Sequence, residues 1–403
     1  MKIGIVSLNL SFIAGGPRLI FGLAHSLEAA GHRVIIYAPD FDATYYKEAA
    51  AGLTIKVVRP PKPLIWTGRP KNIFKWIWHK LEQEQRFISA SKQIAAAADV
   101  DLDVLNIHDF SYRTGYFYKK RNPSTQIIWT ENAPPYMYVP KKNFFFNLLG
   151  VAYQQIKERS SKKYFRAMDK IAVLDIFNKN WCEERGLKNI AVVRCGVDFN
   201  KFYFPVKNFA ERAKKRTVQL FALGALNGYR RYDIVMRSVK ALRDDGIDAR
   251  ALIVANNIWH EDAVKKDLIQ LAKELHLEPF IDFRFAGVTD AELREAYRAA
   301  DFFVQAVYVD PPGNHGWGIV NFEGMSAGLP LILCNSATAT EVLKDDESAF
   351  FVKPLSFEQI AEKVKRCITE PELYKKVGEA GQGVARGLTW AKYTEETLVL
   401  FGK

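Results

Sequence analysis

The first half of the chain alternates short apolar runs with amphipathic stretches. Residues 2–8 are an apolar run of the kind that forms a buried strand of a parallel sheet. The next stretch repeats apolar residues at helical spacing and ends at Gly31, and a second apolar run follows at 33–38. Its apolar face comprises Leu19, Ile20, Leu23, Ala24 and Leu27. The order strand, helix, strand predicts a doubly wound sheet, although no Gly-x-Gly-x-x-Gly motif is present.

The same pattern restarts in the second half, where a strand at 218–223 leads into another amphipathic helix. Across both halves, further strands are predicted at 103–108, 126–131, 170–174, 190–198, 251–255, 280–287, 301–306 and 331–334. A chain of 403 residues suits two domains. We therefore predict an α/β protein with two Rossmann-like domains. Their bounds are 1–198 for the N-terminal domain, 199–215 for a linker, 216–388 for the C-terminal domain and 389–403 for a closing helix.

One stretch, residues 314–330, carries the clearest chemical signal. Gly316-Trp317-Gly318 opens a helix of about ten residues between two apolar strands. Free backbone N–H groups and the positive dipole end make such a helix start an anion site. Glu323, about one turn further on, would repel a phosphate but accept hydrogen bonds from hydroxyls such as those of a ribose. Together these features favour a nucleotide sugar. Alternatively, the glycines only let a loop pass close to its neighbours.

This stretch resembles the C-terminal signature of retaining glycosyltransferases with the GT-B fold, in the large family that includes sucrose synthase and the lipid mannosyltransferases. The signature has two glutamates eight positions apart that flank Gly-aromatic-Gly. Glu323 matches the second, and His315 stands at the first. The resemblance implies two facing domains with a cleft between them and a C-terminal helix that crosses back to the N-domain. It also implies retaining, front-face sugar transfer from a nucleoside diphosphate sugar, with the leaving phosphate helping to deprotonate the acceptor.

Two polar residues end predicted strands of the first half. In an open α/β sheet the carboxyl ends of strands open into the ligand crevice, so His108 is placed to act. In the resembling enzymes a histidine there contacts the donor sugar; alternatively, His108 caps the loop through a backbone hydrogen bond. Glu131 stands where many relatives have another histidine. It could orient acceptor hydroxyls or act as a base, or it could be only a solvated loop acid.

The donor diphosphate has several predicted ligands. The family usually places an arginine and a lysine after the first strand of the second domain. Here Ala225 replaces the arginine, and Arg230 takes the lysine position with Arg231 beside it. Two arginines at a helix start suit phosphate, because each guanidinium is a bidentate donor. Cations are moreover disfavoured at the positive end of a helix unless an anion is there. Alternatively, both are exposed residues of a helix start. The other predicted diphosphate ligands are Gly16 and the amides of Gly316, Trp317, Gly318 and Ile319.

The resemblance extends these roles to the nucleoside and the acceptor. Strand ends at Asn256 and Gly287 would enclose the base, with Glu323 on the ribose. Gly15 and Arg18, in the glycine loop of the N-domain, would contact the acceptor. That acceptor would be a glycan or a lipid-linked sugar. The residues do not decide between UDP and GDP as the donor nucleotide.

The composition limits cofactors and compartment. The Asp-x-Asp pair of Asp101 and Asp103 precedes a strand, at the wrong end to chelate a divalent ion, and we expect no metal and no other cofactor. The four cysteines contain no Cys-x-x-Cys and suggest reduced thiols of a cytoplasmic protein without zinc. No apolar run reaches the roughly 18 residues of a membrane span. The first residues run directly into a strand and lack the pattern of a cleaved signal.

The net charge of +12 is unevenly distributed. Residues 1–196 hold 29 Lys and Arg against 16 Asp and Glu, whereas the remainder holds 28 against 29. Within 62–98, basic residues alternate with Trp and Phe, which is what a segment peripheral to the inner face of an anionic membrane needs. These residues are Lys62, Arg69, Lys71, Lys75, Lys80 and Arg86, with Trp66, Phe74, Trp76, Trp78 and Phe87. A second basic stretch, 157–170, follows the aromatic residues 144–146 and could complete that surface. Alternatively, the aromatic residues pack on the domain and the lysines are solvated.

Three functions follow from these observations. The first is an active glycosyltransferase with a lipid-linked or other anionic acceptor. The second is a non-catalytic relative that binds a nucleotide or glycan in a glycosylation complex, which the substitutions at His315, Ala225 and Glu131 would favour. The third is a nucleic-acid-binding protein. No recognised nucleic-acid module is present, so we expect no nucleic-acid partner.

Overall fold

The structure is a computed structural model, which describes residues 1–11, 15–66, 72–136, 144–308 and 316–402. The chain folds into two compact units. The first unit comprises Met1–Gly196 and Trp390–Lys403, and the second comprises Val197–Thr389. Each unit has its own parallel sheet, as the alternation of apolar strands and amphipathic helices predicts.

The sheet of the first unit has seven parallel strands in the order β3-β2-β1-β4-β5-β6-β7. Its strands are β1 (Lys2–Val6), β2 (Arg33–Ala38), β3 (Thr54–Val57), β4 (Val104–His108), β5 (Gln126–Glu131), β6 (Lys170–Val173) and β7 (Ile190–Val192). Its helices are α1 (Gly15–Ala29), α2 (Ala43–Tyr46), α3 (Ile73–Ala97), α4 (Tyr112–Lys119), α5 (Phe144–Phe165), α6 (Ile176–Glu184) and α15 (Trp390–Leu400). The order of the strands reverses between β1 and β4, so the carboxyl ends of these two strands flank a switch point where ligands of such sheets bind.

The closing helix α15 packs on α1 of the first unit, as predicted. Gly22 makes this contact possible, because a Cβ there would lie 2.4 Å from the ring of Trp390. At the other end of α15, the carbonyl of Leu400 accepts hydrogen bonds from Gln126 Nε2 at 3.2 Å and Lys170 Nζ at 2.6 Å. The helix is therefore attached to the first unit at both of its ends.

The sheet of the second unit has six parallel strands in the order β10-β9-β8-β11-β12-β13. Its strands are β8 (Thr217–Ala225), β9 (Asp248–Asn256), β10 (Ile281–Arg284), β11 (Phe302–Gln305), β12 (Leu331–Cys334) and β13 (Phe350–Val352). Its helices are α7 (Phe199–Phe202), α8 (Ala210–Lys215), α9 (Tyr232–Asp244), α10 (Asp262–Glu274), α11 (Asp290–Ala299), α12 (Ile319–Ser326), α13 (Phe357–Thr369) and α14 (Pro371–Gly387). Here the switch point lies between β8 and β11.

The stretch 199–215, predicted as a linker, folds as two short helices within the second unit. Phe202 contacts the ring of Tyr297, with the ring centroids 5.4 Å apart. Phe209 stacks on Tyr374 at 4.4 Å with the ring planes within 6° of parallel. Burial of these aromatic side chains joins the stretch to the core of the second unit, because aromatic pairs dominate the energetics of such packing.

Candidate functional site

Arg230 lies at the switch point of the second sheet. Its Nη1 donates to Oε1 of Gln305 over 3.3 Å, and Gln305 Nε2 donates to the carbonyl of Leu223 over 3.0 Å. Gly224 leaves room for the guanidinium, since a Cβ there would lie 3.0 Å from Cζ of Arg230. The buried Nε of Arg230 makes no hydrogen bond. The strand ends thus hold a guanidinium in place with a donor still unused, as an anion site requires.

Arg231 differs from its neighbour. Its backbone is left-handed, with φ of 53°, and its Nε and Nη2 donate to the two carboxylate oxygens of Asp233 at 2.9 and 2.6 Å. This bidentate pair neutralises the guanidinium locally. The structure therefore gives different partners to the two arginines that the sequence analysis assigned to the same phosphate.

The glycines before α12 shape its start. Gly316 and Gly318 have φ of 75° and 70°, a region that glycine enters without steric cost, and Gly318 is the N-cap. No side chain caps the helix start. Trp317 is buried and stacks on Phe322 with the ring centroids 5.1 Å apart. The amides of the first turn, from Ile319 onward, are thus left uncapped by side chains. His315 lies outside the described residues.

Glu323 is buried on α12, where the hydroxyl of Tyr297 donates to its Oε2 over 3.1 Å. The same hydroxyl lies 3.3 Å from the carbonyl of Val320. A carboxylate held in this way keeps accepting capacity, because each of its two oxygens can take more than one hydrogen bond. Its role toward a ribose remains a prediction.

Asn256 and Gly287, the predicted base contacts, come together at the carboxyl edge of the second sheet. A Cβ at Gly287 would lie 3.2 Å from Nδ2 of Asn256. Asn256 also pairs in register with Ala225 at the end of β8, and its carbonyl accepts from the amide of Leu226 at 2.7 Å. The structure therefore places the predicted base contacts and the end of β8 at the same edge.

His108 ends β4 and is almost completely buried. Its Nε2 lies 2.6 Å from Oδ1 of Asn106, whose Nδ2 donates to Oγ1 of Thr130 at 2.9 Å. Because Asn106 uses its oxygen as the acceptor, His108 must donate from Nε2, which leaves Nδ1 as an acceptor without a partner. Burial lowers the pKa of His108 to about 3, so the ring is neutral. The alternative that His108 caps a loop through the backbone is not what the structure shows.

Glu131 ends β5 and is completely buried, so it is not a solvated loop acid. Neither carboxyl oxygen makes a hydrogen bond. Burial, and then the charges of Asp109 and Asp175, raise its pKa well above the ordinary value, which favours the protonated form. A protonated carboxyl can donate a hydrogen bond but is not a base.

The structure does not bring His108 and Glu131 together. His108 pairs in register with Thr130, and side chains of neighbouring residues in a strand point to opposite faces. Glu131 therefore shares the face of Trp129, which packs in the core with Trp181. The two predicted catalytic residues lie on opposite faces of the sheet, because the register of β4 with β5 aligns His108 with Thr130 and not with Glu131.

The glycines of the first unit begin α1 rather than form a loop before it, because the helix starts at Gly15. Gly16 faces Asp109, whose Oδ2 would lie 3.6 Å from a Cβ at that position. Arg18 is half-buried in the first turns of the same helix. The structure thus places Gly16, a predicted diphosphate ligand, beside the carboxyl end of β4, on the same helix as the predicted acceptor residues Gly15 and Arg18.

Asp109 is a candidate that the sequence analysis did not select. It has a left-handed φ of 47°, and its Oδ1 accepts from the amide of Asn132 at 3.0 Å. Its carbonyl accepts from the indole of Trp129 at 3.0 Å. Burial raises the pKa of Asp109 to about 6. The argument that singles out His108, its position at a strand end, applies equally to the residue that follows it.

The aromatic residues of the basic stretch divide into two groups. Trp66 packs against Phe87 and Phe110 at 5.0 and 5.8 Å, and Trp76 contacts Tyr153 of α5 at 5.8 Å. Phe74 and Trp78 are instead 78% and 72% exposed. The other exposed large apolar residues on these helices are Ile77, Leu81, Leu148, Val151 and Ile156. We call Phe74, Trp78, Leu81, Leu148 and Ile156 the α3–α5 surface. Arg69 and Lys71 lie outside the described residues, as do the side chains of residues 144–146.

In the part of the chain that the structure describes, no group of three or more His, Cys, Asp or Glu could hold a metal ion. Within the same ranges, no helix is both long enough and apolar enough to cross a membrane. Cys182, Cys195, Cys334 and Cys367 are buried free thiols.

Solved structures with this fold are glycosyltransferases of the GT-B type. The Anabaena protein Alr3699/HepE in complex with UDP-glucose matches with a TM-score of 0.73 at 13% identity, over 100% of this chain and 99% of that one. Sucrose-phosphate synthase from Thermosynechococcus elongatus matches with a TM-score of 0.73 at 16% identity, over 99% and 98%. These likenesses confirm the predicted fold.

The chain belongs to the group 1 glycosyl transferases of glycosyltransferase family 4. The model described as glycosyl transferases group 1 matches residues 205–384, and that described as Glycosyltransferase Family 4 matches residues 13–201. Mannosylfructose-phosphate synthase of Agrobacterium fabrum is 26% identical over 54% of this chain and 49% of its own length. D-inositol 3-phosphate glycosyltransferase of Actinosynnema mirum is 25% identical over 53% and 52%. The matched region thus spans about half the length of these curated relatives.

Proposed function

We propose that this protein transfers a sugar from a nucleoside diphosphate sugar to a hydroxyl of a glycan or lipid-linked acceptor, with retention of configuration and without a metal. The second unit binds the donor, and the first unit binds the acceptor. The observation that carries this proposal is Arg230, which Gln305 holds at the switch point with an unused buried donor. The start of α12, which no side chain caps, follows the adjacent strand β11.

The departure of the diphosphate creates the negative charge that Arg230 and the start of α12 would stabilise. The bond from C1 of the sugar to the phosphate oxygen breaks, and negative charge builds up on the diphosphate. Arg230 and the amides of the first turn of α12 stabilise that charge, as preorganised donors do at developing anions. The acceptor oxygen bonds to C1 on the face that the phosphate leaves, and the acceptor proton passes to the leaving phosphate. Because the cation and the amides supply the positive charge, this route needs no metal.

Two histidines would contact the transferred sugar. Neutral His108 offers Nδ1 as an acceptor for a sugar hydroxyl, since Nε2 is used on Asn106. His315 stands at the position of the family's first glutamate. A neutral histidine supplies less negative charge to an oxocarbenium-like centre than a glutamate, so this substitution would change the preferred sugar.

The experiment that tests the proposal measures nucleotide binding and turnover in the same samples. Calorimetry with UDP, GDP and their glucose and mannose conjugates, with and without EDTA, tests the donor assignment. UDP-glucose is the first choice, because a protein with the same fold binds it in a solved structure. Binding followed by sugar release, unchanged by EDTA, supports the proposal. Binding without turnover on any acceptor would identify a non-catalytic relative, and no nucleotide binding at all would refute the donor site.

We also propose that the α3–α5 surface rests on an anionic membrane, where a lipid-linked acceptor would be found. Phe74, Trp78 and Leu81 recur at helical spacing on α3 and are exposed. The contact between Trp76 and Tyr153 packs α5 against the other side of α3, because positions 74 and 76 are about 200° apart around a helix. The lysine at position 75 is exposed as well, and the excess positive charge of the chain lies in its first half. Exposed aromatic residues with lysines suit the headgroup region of an anionic bilayer.

A further inference from the structure

Three buried polar groups near the end of β5 lack hydrogen-bond partners. They are the carboxyl of Glu131, the hydroxyl of Tyr136 and the indole N–H of Trp181. The residues are 0%, 8% and 6% exposed, so bulk water does not reach these atoms. Most buried polar atoms of folded proteins are paired, and leaving one unpaired costs about 1–3 kcal/mol. Three such groups at one place weaken the fold, which calls for another explanation.

The three groups and Arg185 belong to one cluster. The rings of Tyr136 and Trp181 are 5.4 Å apart and inclined at 66°. The guanidinium carbon of Arg185 lies 4.1 Å from the ring centroid of Trp181, and its Nη1 donates to the Trp181 carbonyl at 2.9 Å. The guanidinium of Arg185 also acts on the carboxyl of Glu131 and on the hydroxyl of Tyr136, where it opposes the rise in pKa that burial causes. The Nε of Arg185 makes no hydrogen bond and lies 3.7 Å from a carboxylate oxygen of Glu158.

The chemistry of the cluster defines the ligand that would satisfy it. The indole and the guanidinium only donate hydrogen bonds, whereas the tyrosine hydroxyl and a protonated carboxyl both donate and accept. A ligand must therefore offer several acceptors and some donors within a few ångströms. Ring hydroxyls of a sugar or cyclitol do both, and two aromatic rings offer apolar surfaces to its C–H bonds. A free anion fits less well, because Asp109 and Asp175 lie near Glu131.

We propose that Glu131, Tyr136, Trp181 and Arg185 form the recognition site for a neutral polyhydroxylated ring of the acceptor. The inference rests on the proposed function, since it assigns a substrate class to the unit that binds the acceptor. Position supports it: Asn132, which follows Glu131, donates its amide to Asp109 beside Gly16. Entry of a ring requires residues 132–136 to move away from α6. The unpaired groups therefore lower the stability of the free protein, and the bound acceptor would supply their hydrogen-bond partners.

The first test reads stability and needs no substrate. Tyr136→Phe removes a hydroxyl without a partner, so its melting temperature should equal or exceed that of the wild type. Tyr118→Phe is the matched control, because Tyr118 is buried in the same core and its hydroxyl donates to the carbonyl of Asp99. That variant should melt lower. Glu131→Gln should behave like Tyr136→Phe. If Tyr136→Phe loses as much stability as Tyr118→Phe, the hydroxyl has a structural partner and the proposal is wrong.

The second test reads binding. Methyl α-glucoside, methyl α-mannoside and myo-inositol are titrated without nucleotide and followed by ligand-observed NMR. We expect at least one to bind the wild type, and Tyr136→Phe and Trp181→Phe to weaken it at least tenfold, which is ~1.4 kcal/mol. Nucleotide affinity should stay unchanged in both variants. Binding that survives both substitutions, or no binding by the wild type, overturns the proposal. If the wild type binds no nucleotide, the donor assignment is refuted instead. Failure of this proposal can therefore be told apart from failure of the proposed function.

Discussion

Arg230 donates from Nη1 to Oε1 of Gln305 over 3.3 Å, which fixes the guanidinium across the carboxyl end of β8. Arg231, one residue later, is instead paired with Asp233. Two adjacent arginines thus have different partners, and only the first is held at the switch point of the sheet. Their separate roles can be measured by substitution.

Arg230→Gln should weaken the binding of a nucleoside diphosphate at least tenfold, because it removes a charge-assisted hydrogen bond to the phosphate. Arg231→Gln should weaken binding less, because Asp233 already neutralises its charge. Isothermal calorimetry with UDP checks both variants. Arg298→Gln is the matched control, since Arg298 is exposed on α11 and pairs with Glu295. Equal losses for Arg230 and Arg231 would contradict the distinction drawn from their partners.

His108 should make the first unit sensitive to acid. Its pKa is lowered to about 3, whereas an unfolded histidine titrates near 6.5. Between these values the unfolded chain binds more protons, so stability is lost as the pH falls below about 6.5, by up to ~1.4 kcal/mol per pH unit. Melting temperatures of the wild type and His108→Gln, measured from pH 7 to 4, test this. The exposed His276→Asn should leave the slope unchanged; a wild-type slope in His108→Gln would disprove the assignment.

Glu131 should make the protein less stable as the pH rises, which is the opposite of the effect of His108. Its raised pKa means that the folded chain keeps a proton that the unfolded chain releases, so stability falls as the pH rises above the ordinary carboxyl range near 4.3. The groups that act on its charge are Asp109 and Asp175, which raise the pKa, and Arg185, which lowers it. Glu131→Gln should remove this decline and melt higher than the wild type at pH 8. The same substitution at Glu395, which is exposed on α15, serves as the control, and an unchanged pH profile in Glu131→Gln would rule the effect out.

The α3–α5 surface should bind anionic vesicles. We expect the protein to sediment with phosphatidylglycerol vesicles at low salt, less so at high salt, and not with phosphatidylcholine alone. A Phe74→Ser, Trp78→Ser double variant should bind at least tenfold more weakly, because it loses two exposed aromatic side chains. Val399→Ser on α15, also exposed, controls for general loss of apolar surface. Protein that stays in the supernatant at low salt would end the membrane proposal.

Much of the fold could be predicted because its signals are local. Apolar runs and helical spacing predict the parallel strands and the helices between them. Strand ends predict the carboxyl edge of the second sheet, where Arg230 and Asn256 lie, and that of the first sheet, where His108 lies. Asp109 could have been found by the same reasoning. Arg231 and Asp233 are two positions apart in the chain, so their ion pair could also have been predicted from the sequence. The composition of the stretch from Phe199 to Lys215, rich in Phe, Lys and Asn with Pro205, suggested a linker, although its buried aromatic residues make it part of a core.

The sequence by itself determined the two-domain parallel architecture, the glycines before α12 and the residue types at the strand ends, because each depends on neighbours along the chain. The tertiary structure decided which face each side chain takes and what surrounds it. The register of β4 with β5 puts His108 and Glu131 on opposite faces of one sheet. Packing of α6 encloses Glu131 with Trp181, which lies fifty positions further along the chain. Burial and pairing between such distant residues arise only when the chain closes on itself, so their protonation states and missing partners have no local signal.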